Sequence, residues 1–378
     1  MPVCDPDPDQ SSATYRPKDR ARKIERIRTM SIVTCLIPTS ARWLFQVLLG
    51  LIIVLTYPLR IMGAEISGKP EKAEVTVAYV SPSAAFTPLY VAAEAGLFAK
   101  YGLKVKPQIF GVGTAQKALL SEEIDILVDG PLLIAARLGG SRVKYFGAYI
   151  QRYVFQIWGA KGITAMEQLK GKTMAVSAPR GAIDIATREA LKKQGLTPDS
   201  DVKFVYNDQV PAILTAIVSG TVSAGALSAP LNLKARDAGL SFLVDIARLN
   251  IPGLGGAYGT TEKLLSNNPN TMYAFSKAMA EGVDLARKDS AEAKRAIGKY
   301  VKIDDPKMLD ASYDAYASYL ETNLAVRDQV IHAELDYLNE KEFPRAKSAN
   351  PKEFFDNSFV ENLERAGFFA TIGLAKEK

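Results

Sequence analysis

The chain has 378 residues, 48% of them hydrophobic and 23% charged, with 27 Gly, 20 Pro and two Cys. At roughly 150 residues per domain this allows two or three domains with a sizeable core, and the composition excludes collagen-like, disulfide-dense and wholly disordered classes. The net charge of +6 is concentrated at the start: Met1 to Ala64 carries nine Lys/Arg against five Asp/Glu, leaving +2 for Glu65 to Lys378. Such a balance offers no basic face for nucleic acid.

Both cysteines, Cys4 and Cys35, precede an uncharged 17-residue run from Trp43 to Leu59 bounded by Arg42 and Arg60. Nothing after that run can form a disulfide or a thiolate metal site. A secretory signal has a basic start, about 7–15 apolar residues and small residues at the cut, whereas a spanning helix usually needs about 20 apolar residues. Gly63-Ala64 supplies a cut before Glu65, so residues 1–64 are expected to be a leader with a signal peptide. An uncleaved anchor is the alternative, and it leaves the following domain on the same outer side of the membrane. The polar first 29 residues, with Asp5-Pro6-Asp7-Pro8-Asp9 and seven basic side chains from Arg16 to Arg28, read as disordered. Met30 is a second candidate start.

After a polar linker the pattern alternates brief β-rich runs, loops holding Gly, Pro or Ser, and helix-period runs, which is α/β patterning. In the first series Glu74 to Val80 reads as a strand, Ser81 to Thr87 as a loop and Pro88 to Tyr101 as a helix stopped by Gly102. Leu103 to Phe110 is the next strand, Gly111-Val112-Gly113-Thr114 opens a helix ending near Ser121, Ile124 to Val128 is the third strand and Pro131 to Leu138 the third helix. A second series follows the apolar run Val154 to Trp158. Its strands are Thr173 to Ser177, Val202 to Tyr206, Ala224 to Leu227 and Phe242 to Ile246, and its helices are Ala182 to Gln194, Pro211 to Ser219 and Pro230 to Ala238. Beyond Gly253-Leu254-Gly255-Gly256 the pattern turns helical over Pro269 to Arg287, Ala291 to Tyr300, Pro306 to Leu320 and Arg327 to Asn339. No fixed-period repeat is present, which excludes a solenoid.

Four times a strand runs into a helix whose first residue can be proline: Thr87-Pro88, Gly130-Pro131, Val210-Pro211 and Ala229-Pro230. Proline suits that position because its missing N–H would have had no partner. Two more helices open after Gly113-Thr114 and Arg180-Gly181, where glycine lets another group approach the backbone. In an open α/β sheet these loops converge on a crevice at the carboxyl ends of the strands, and helix N-termini present free N–H groups there. Each terminus holds an anion by about 0.3–1 kcal/mol when exposed and about 2 kcal/mol when partly buried, so only several acting together bind usefully. Arg180 is suited to pair with a carboxylate or sulfonate, or else is solvated in its loop. Asp129 reads as an N-cap rather than a solute contact.

Gly111-Val112-Gly113 half matches a dinucleotide fingerprint and is rejected as one. His332, in a helical run without a second His or Cys, reads as a surface residue. One histidine assembles no nucleophile–His–acid arrangement.

The chain resembles the nitrate/taurine/sulfonate family of ABC-transporter substrate-binding proteins, related in fold to the thiamine-pyrimidine synthase (NMT1/THI5-like) proteins. The passages that carry the resemblance are Thr87-Pro88-Leu89-Tyr90-Val91-Ala92 with Gly96-Leu97-Phe98-Ala99-Lys100-Tyr101-Gly102-Leu103, Leu169-Lys170-Gly171-Lys172-Thr173 leading to Ala190 to Leu196, Ala226-Leu227-Ser228-Ala229-Pro230, and Phe354 to Phe359. The resemblance implies a periplasmic-binding-protein type II fold, two α/β lobes joined by two crossing segments with the ligand cleft between them. Lobe one would be residues 72–152 and 260–378, lobe two 153–259, with crossings near Arg152 to Ala160 and Gly253 to Thr260. It also implies solute contacts at Ser81, Phe86, Thr87, Gly113, Thr114, Gly130, Arg180, Gly181, Ala182 and Ser228.

On that reading the protein is an exported, monomeric component that needs no cofactor, captures a small anionic or zwitterionic solute and delivers it to a membrane permease. A sulfonate, taurine, nitrate, an aromatic carboxylate and a pyrimidine are the candidates. The loop Ser177 to Ala182 places Arg and Ala where the family commonly has small hydroxyl residues, so the solute need not be nitrate or taurine. Phe86, Tyr90 and Tyr206 either line an aromatic ligand or pack the core. The alternatives are a membrane-anchored sensor and an enzyme on the same fold. The enzymes it resembles use histidine with iron or a cysteine-linked cofactor, which one histidine and no exported cysteine do not favour.

Overall fold

Short β-branched runs that feed glycine- or proline-opened helices build two five-stranded sheets. The computed structural model describes residues 68–338 and 340–374. The expected leader, its run Trp43 to Leu59, both cysteines and the start at Met30 lie outside the described residues. The first sheet contains β1 (Glu74–Tyr79), β2 (Lys104–Ile109), β3 (Ile126–Asp129), β4 (Val143–Arg152) and β10 (Pro252–Thr261), in the order β2-β1-β3-β10-β4. The second contains β5 (Gln156–Gly159), β6 (Lys172–Val176), β7 (Val202–Tyr206), β8 (Ala224–Leu227) and β9 (Ser241–Asp245), in the order β7-β6-β8-β5-β9.

In each sheet three strands run parallel, β2-β1-β3 and β7-β6-β8, and the next strand is antiparallel to its neighbours. Every residue of β3 and β8 is buried, as expected for strands covered on both faces. Pro107 stands in edge strand β2, where a missing N–H is tolerated.

The helices of the first lobe are α1 (Thr87–Glu94), α2 (Leu97–Lys100), α3 (Val112–Leu120) and α4 (Leu132–Leu138), those of the second α5 (Ala182–Lys193), α6 (Pro211–Val218) and α7 (Leu231–Asp237). After β10 come α8 (Glu262–Asn267), α9 (Pro269–Lys288), α10 (Ser290–Val301), α11 (Pro306–Ala317), α12 (Asp328–Asp336), α13 (Ser358–Arg365) and α14 (Phe368–Ile372). The expected helix Pro88 to Tyr101 is two helices, because Gly96 adopts a left-handed φ of 68° between them, a conformation that ends a helix. Pro211 opens its helix and Pro88 lies in the first turn of its own, whereas Pro131 and Pro230 stand one residue before theirs.

The largest departure from the sequence reading is the pair β4 and β10. Gly253 to Gly256, expected to open the second crossing, lie in β10, antiparallel to β4. The glycines make room for tyrosines. A Cβ at Gly253 would stand 2.3 Å from the Tyr153 ring, and one at Gly256 2.6 Å from the Tyr149 ring. Both rings are fully buried. Between the pairs Gly256–Ile150 and Ala257–Ala148 the register shifts, leaving Tyr149 as the extra residue of a β-bulge, a device that re-aims a side chain. The outer edge of β4 is covered by chain from the C-terminal part: Ala148 donates to the Leu324 carbonyl at 2.8 Å and Tyr145 to that of Phe354 at 3.0 Å, and Asp356 donates back to Tyr145 at 2.8 Å.

The chain therefore passes between the sheets at residues 153–155 and 246–251. The first passage falls within the expected crossing. The second lies just before the expected Gly253 to Thr260, because those residues pair in the first sheet.

Candidate functional site

The carboxyl ends of the six parallel strands carry the loops that meet between the lobes: Val80 to Phe86, Phe110-Gly111 and Gly130-Pro131 from the first, Ser177 to Gly181, Asn207 to Val210 and Ser228 to Pro230 from the second. Several contacts join them. The Ala84 N–H and the Ser83 hydroxyl donate to the Ala229 carbonyl at 3.2 and 3.4 Å. A Cβ on Gly130 would meet Ala182 at 3.0 Å, and one on Gly181 would meet Val112 at 3.2 Å, so glycine lets the two walls touch. Tyr316 of α11 donates to the Val154 carbonyl at 3.1 Å, and its hydroxyl also stands beside Ser83 and Ser228. Burial raises its pKa to about 12, with the two serine hydroxyls pulling the other way.

The N-terminus of α3, expected to hold a solute anion, is capped by the protein itself. Asp208, from the loop after β7, accepts from the Gly113 N–H at 2.6 Å and the Thr114 hydroxyl at 2.7 Å, while its own carbonyl accepts from the Val112 N–H at 3.0 Å. A carboxylate on a helix N-terminus is favourable, and here it ties one lobe to the other. Asp208→Ala is expected to remove about 1 kcal/mol of this tie, moving the balance between parted and joined lobes about fivefold. Small-angle scattering that showed no larger radius of gyration for the variant would contradict it.

Arg180 also has a protein partner. Its guanidinium pairs with Glu342 and lies 5.4 Å over the Phe343 ring, and its N–H donates to Asp184 at 2.7 Å. Its side chain is thus held by Glu342 and Phe343 of the C-terminal part. Phe86 and Thr87 are packing residues: the Phe86 ring lies 5.6 Å from Tyr79, and the Thr87 hydroxyl donates to the Ala84 carbonyl at 2.6 Å. Tyr90 stacks on Tyr300 at 4.6 Å, and the half-exposed Tyr206 accepts from Arg188 at 2.8 Å. Ser81 and Ser228 are buried at the strand ends, and His332 is exposed.

A cavity of about 170 Å³ remains between the lobes beside the crossings, lined among others by Gln156, Ser228, Asn232, Asp314 and Tyr316. That is below the roughly 300–1,000 Å³ of drug-sized pockets, and its lining is largely polar. Deeper in the same interface, Asp129 closes β3. It is not an N-cap: α4 starts at Leu132 after Pro131, with no side-chain cap. Its Oδ2 is buried without a hydrogen-bond partner among the described residues, as are the hydroxyls of Tyr149 and Ser177. Burial lifts the Asp129 pKa to about 7 against the pull of the Gly130 N–H.

Sequence reasoning did not single out Asp208, Tyr149 or Tyr316. Asp208 precedes Val210-Pro211 and would be read as a cap for the following helix. Its actual target lies 95 residues away in the chain, and no local pattern signals that.

Two sheets of this topology, with helix-opening loops meeting at the carboxyl strand ends, define the two-lobed fold of periplasmic solute-binding proteins. The chain belongs to the family described as NMT1/THI5 like, whose model matches residues 83–293. YtlA of Bacillus subtilis (strain 168), named as a binding protein, is 25% identical over 253 residues, 64% of this chain and 75% of that protein. The alkanesulfonate-binding protein SsuA from Xanthomonas axonopodis pv. citri, solved with bound MOPS, superposes with a TM-score of 0.63 at 18% identity, over 75% of this chain and 96% of its own. The periplasmic nitrate-binding protein NrtA from Synechocystis PCC 6803 gives 0.66 at 15% identity, over 81% of this chain and 92% of its own. Among the described residues no helix is long and apolar enough to cross a membrane.

Proposed function

We propose that this protein is the extracytoplasmic solute-capturing component of an ABC-type importer. It binds a small organic solute between its lobes, closes about the segments 153–155 and 246–251, and presents the joined form to a permease. The supporting observation is the convergence of six strand-end loops, three from each lobe, on one interface that holds buried polar groups. Capture needs no covalent chemistry, and the relatives named above are binding proteins. The N-terminal leader would deliver the domain to the outer side, where it acts as a monomer.

Thermal melting with taurine, alkanesulfonates, nitrate, aromatic carboxylates and aminopyrimidines tests this reading. A bound solute at 100 times its Kd adds about 2.7 kcal/mol of stability, a readily measured rise in Tm. A melting curve unmoved by every one of these compounds would count against capture of this solute class.

A further inference from the structure

The interlobe interface holds a buried carboxyl group with one oxygen left unpartnered among the described residues. Asp129, Tyr149 and Ser177 are 7%, 0% and 1% exposed, and each keeps a buried oxygen without a hydrogen-bond partner. They come from both walls. Asp129 ends β3 and Tyr149 is the bulged residue of β4, while Ser177 directly follows β6. Gly130, next to Asp129, touches Ala182 of the facing lobe, and Gly181 packs against the Ser177 hydroxyl. Tyr149 feels the charge of Asp129 and stands near Tyr316, which lines the interlobe cavity.

A buried carboxylate is ordinarily paired or hydrogen-bonded, since leaving it alone is costly. Here the Gly130 N–H serves Asp129, and among the described residues no lysine or arginine pairs with it. Trp158 Nε1, another unpartnered buried atom, lies inside the second lobe beside Phe242 and belongs to no such grouping. The anion-holding positions are meanwhile taken by the protein's own side chains: Asp208 occupies the α3 N-terminus, and Glu342 occupies Arg180. What the cleft still lacks is a donor of N–H bonds that carries positive charge.

We infer that Asp129 is the counter-charge for a cationic N–H donor on the solute, an ammonium, amidinium or protonated aminoheterocycle, with the Tyr149 and Ser177 hydroxyls completing its polar contacts. This rests on the capture reading above and narrows it: of the small solutes considered, those with a basic nitrogen are selected and pure anions are not. Asp129 touches the solute and sets specificity.

Matched pairs test it by titration calorimetry: taurine against isethionate, benzamidine against benzoate, and 4-aminopyrimidine against 4-hydroxypyrimidine. The nitrogen-bearing member of at least one pair should bind, and Asp129→Asn should weaken it roughly 10- to 100-fold, as for loss of a hydrogen bond to a charged group. Without any added solute, Asp129→Asn should also melt several degrees higher than wild type at pH 8, because a residue placed for a ligand burdens the fold. Tighter or equal binding of isethionate, benzoate or 4-hydroxypyrimidine by wild type would overturn the inference and leave capture standing. A lower Tm for Asp129→Asn at pH 8 would also overturn it, by showing that the carboxylate serves the fold. If no member of any pair binds, the capture reading falls and this inference with it.

Discussion

Glu334→Ala is expected to destabilise the protein by about 2–6 kcal/mol at pH 5, since it strips the acceptor from two buried donors at about 1–3 kcal/mol each. Glu334 projects from α12 into the region where the two crossing segments meet. Its Oε1 accepts from the Tyr153 hydroxyl at 2.6 Å and from the Leu254 N–H at 2.7 Å, which clamps a residue of the first passage and a residue of β10, just after the second, to the same carboxyl. Its Oε2 has no partner among the described residues. Burial raises its pKa to about 7, the hydrogen bonds from Tyr153 and Leu254 act against that shift, and the nearby charge of Glu189 in the second lobe adds to it. Tyr337 and Tyr145 are the other ionisable groups that feel Glu334.

The sign of the pH effect follows. In the unfolded chain Glu334 loses its proton near pH 4.5, whereas in the fold it keeps it to about 7. The folded state therefore binds more protons across that window, and stability falls as pH rises through it, by about 3 kcal/mol in all. Glu334→Gln keeps an acceptor for both donors and cannot ionise. It should cost little at pH 5 and exceed wild type in stability at pH 8. Urea unfolding of wild type and both variants at the two pH values decides the matter, and parallel pH curves for wild type and Glu334→Gln would refute the argument.

The second large effect is expected in β10. Alanine in place of a strand glycine ordinarily gains about 0.5–1 kcal/mol because the unfolded chain loses freedom. At Gly256 the added methyl would press on the buried Tyr149 ring, and overpacking of this kind costs about 1–3 kcal/mol. Gly256→Ala should therefore destabilise, and combining it with Tyr149→Ala should be less harmful than the sum of the two single changes, because the clash is gone. Denaturant midpoints for the four proteins of this cycle measure that coupling. A stabilised Gly256→Ala protein would show that the glycine is not there for the ring.

These two sites also show where sequence legibility ended. The α/β units, with strand ends and helix starts mostly within a few residues, were readable because β-branched runs, helix-period apolar faces and Pro or Gly at the helix openings are local signals. The strands β4 and β10 were not. Tyr145, Tyr149 and Tyr153 recur at a spacing of four, which suggests a helix, and the glycines of β10 suggest a break. Only the pairing of the two segments, about a hundred residues apart, makes sense of either. The site was legible as a set of loops but not as a set of contacts. Gly130, Gly181 and Ala182 do meet across the cleft, whereas Phe86 and Thr87 turn into the first lobe and Arg180 turns to Glu342. Asp129 was visible as an acidic residue before a helix, but whether it capped that helix depended on where the helix began.

The position of β10 also dictates the order in which the molecule can be assembled. This strand lies between β3 and β4, yet in the chain it follows the whole of the second sheet. During synthesis the first sheet must wait with a gap in its middle until residue 261 has emerged, while the inserted lobe already has all its strands. Such late closure keeps the leading half of the polypeptide from locking before the inserted lobe is complete.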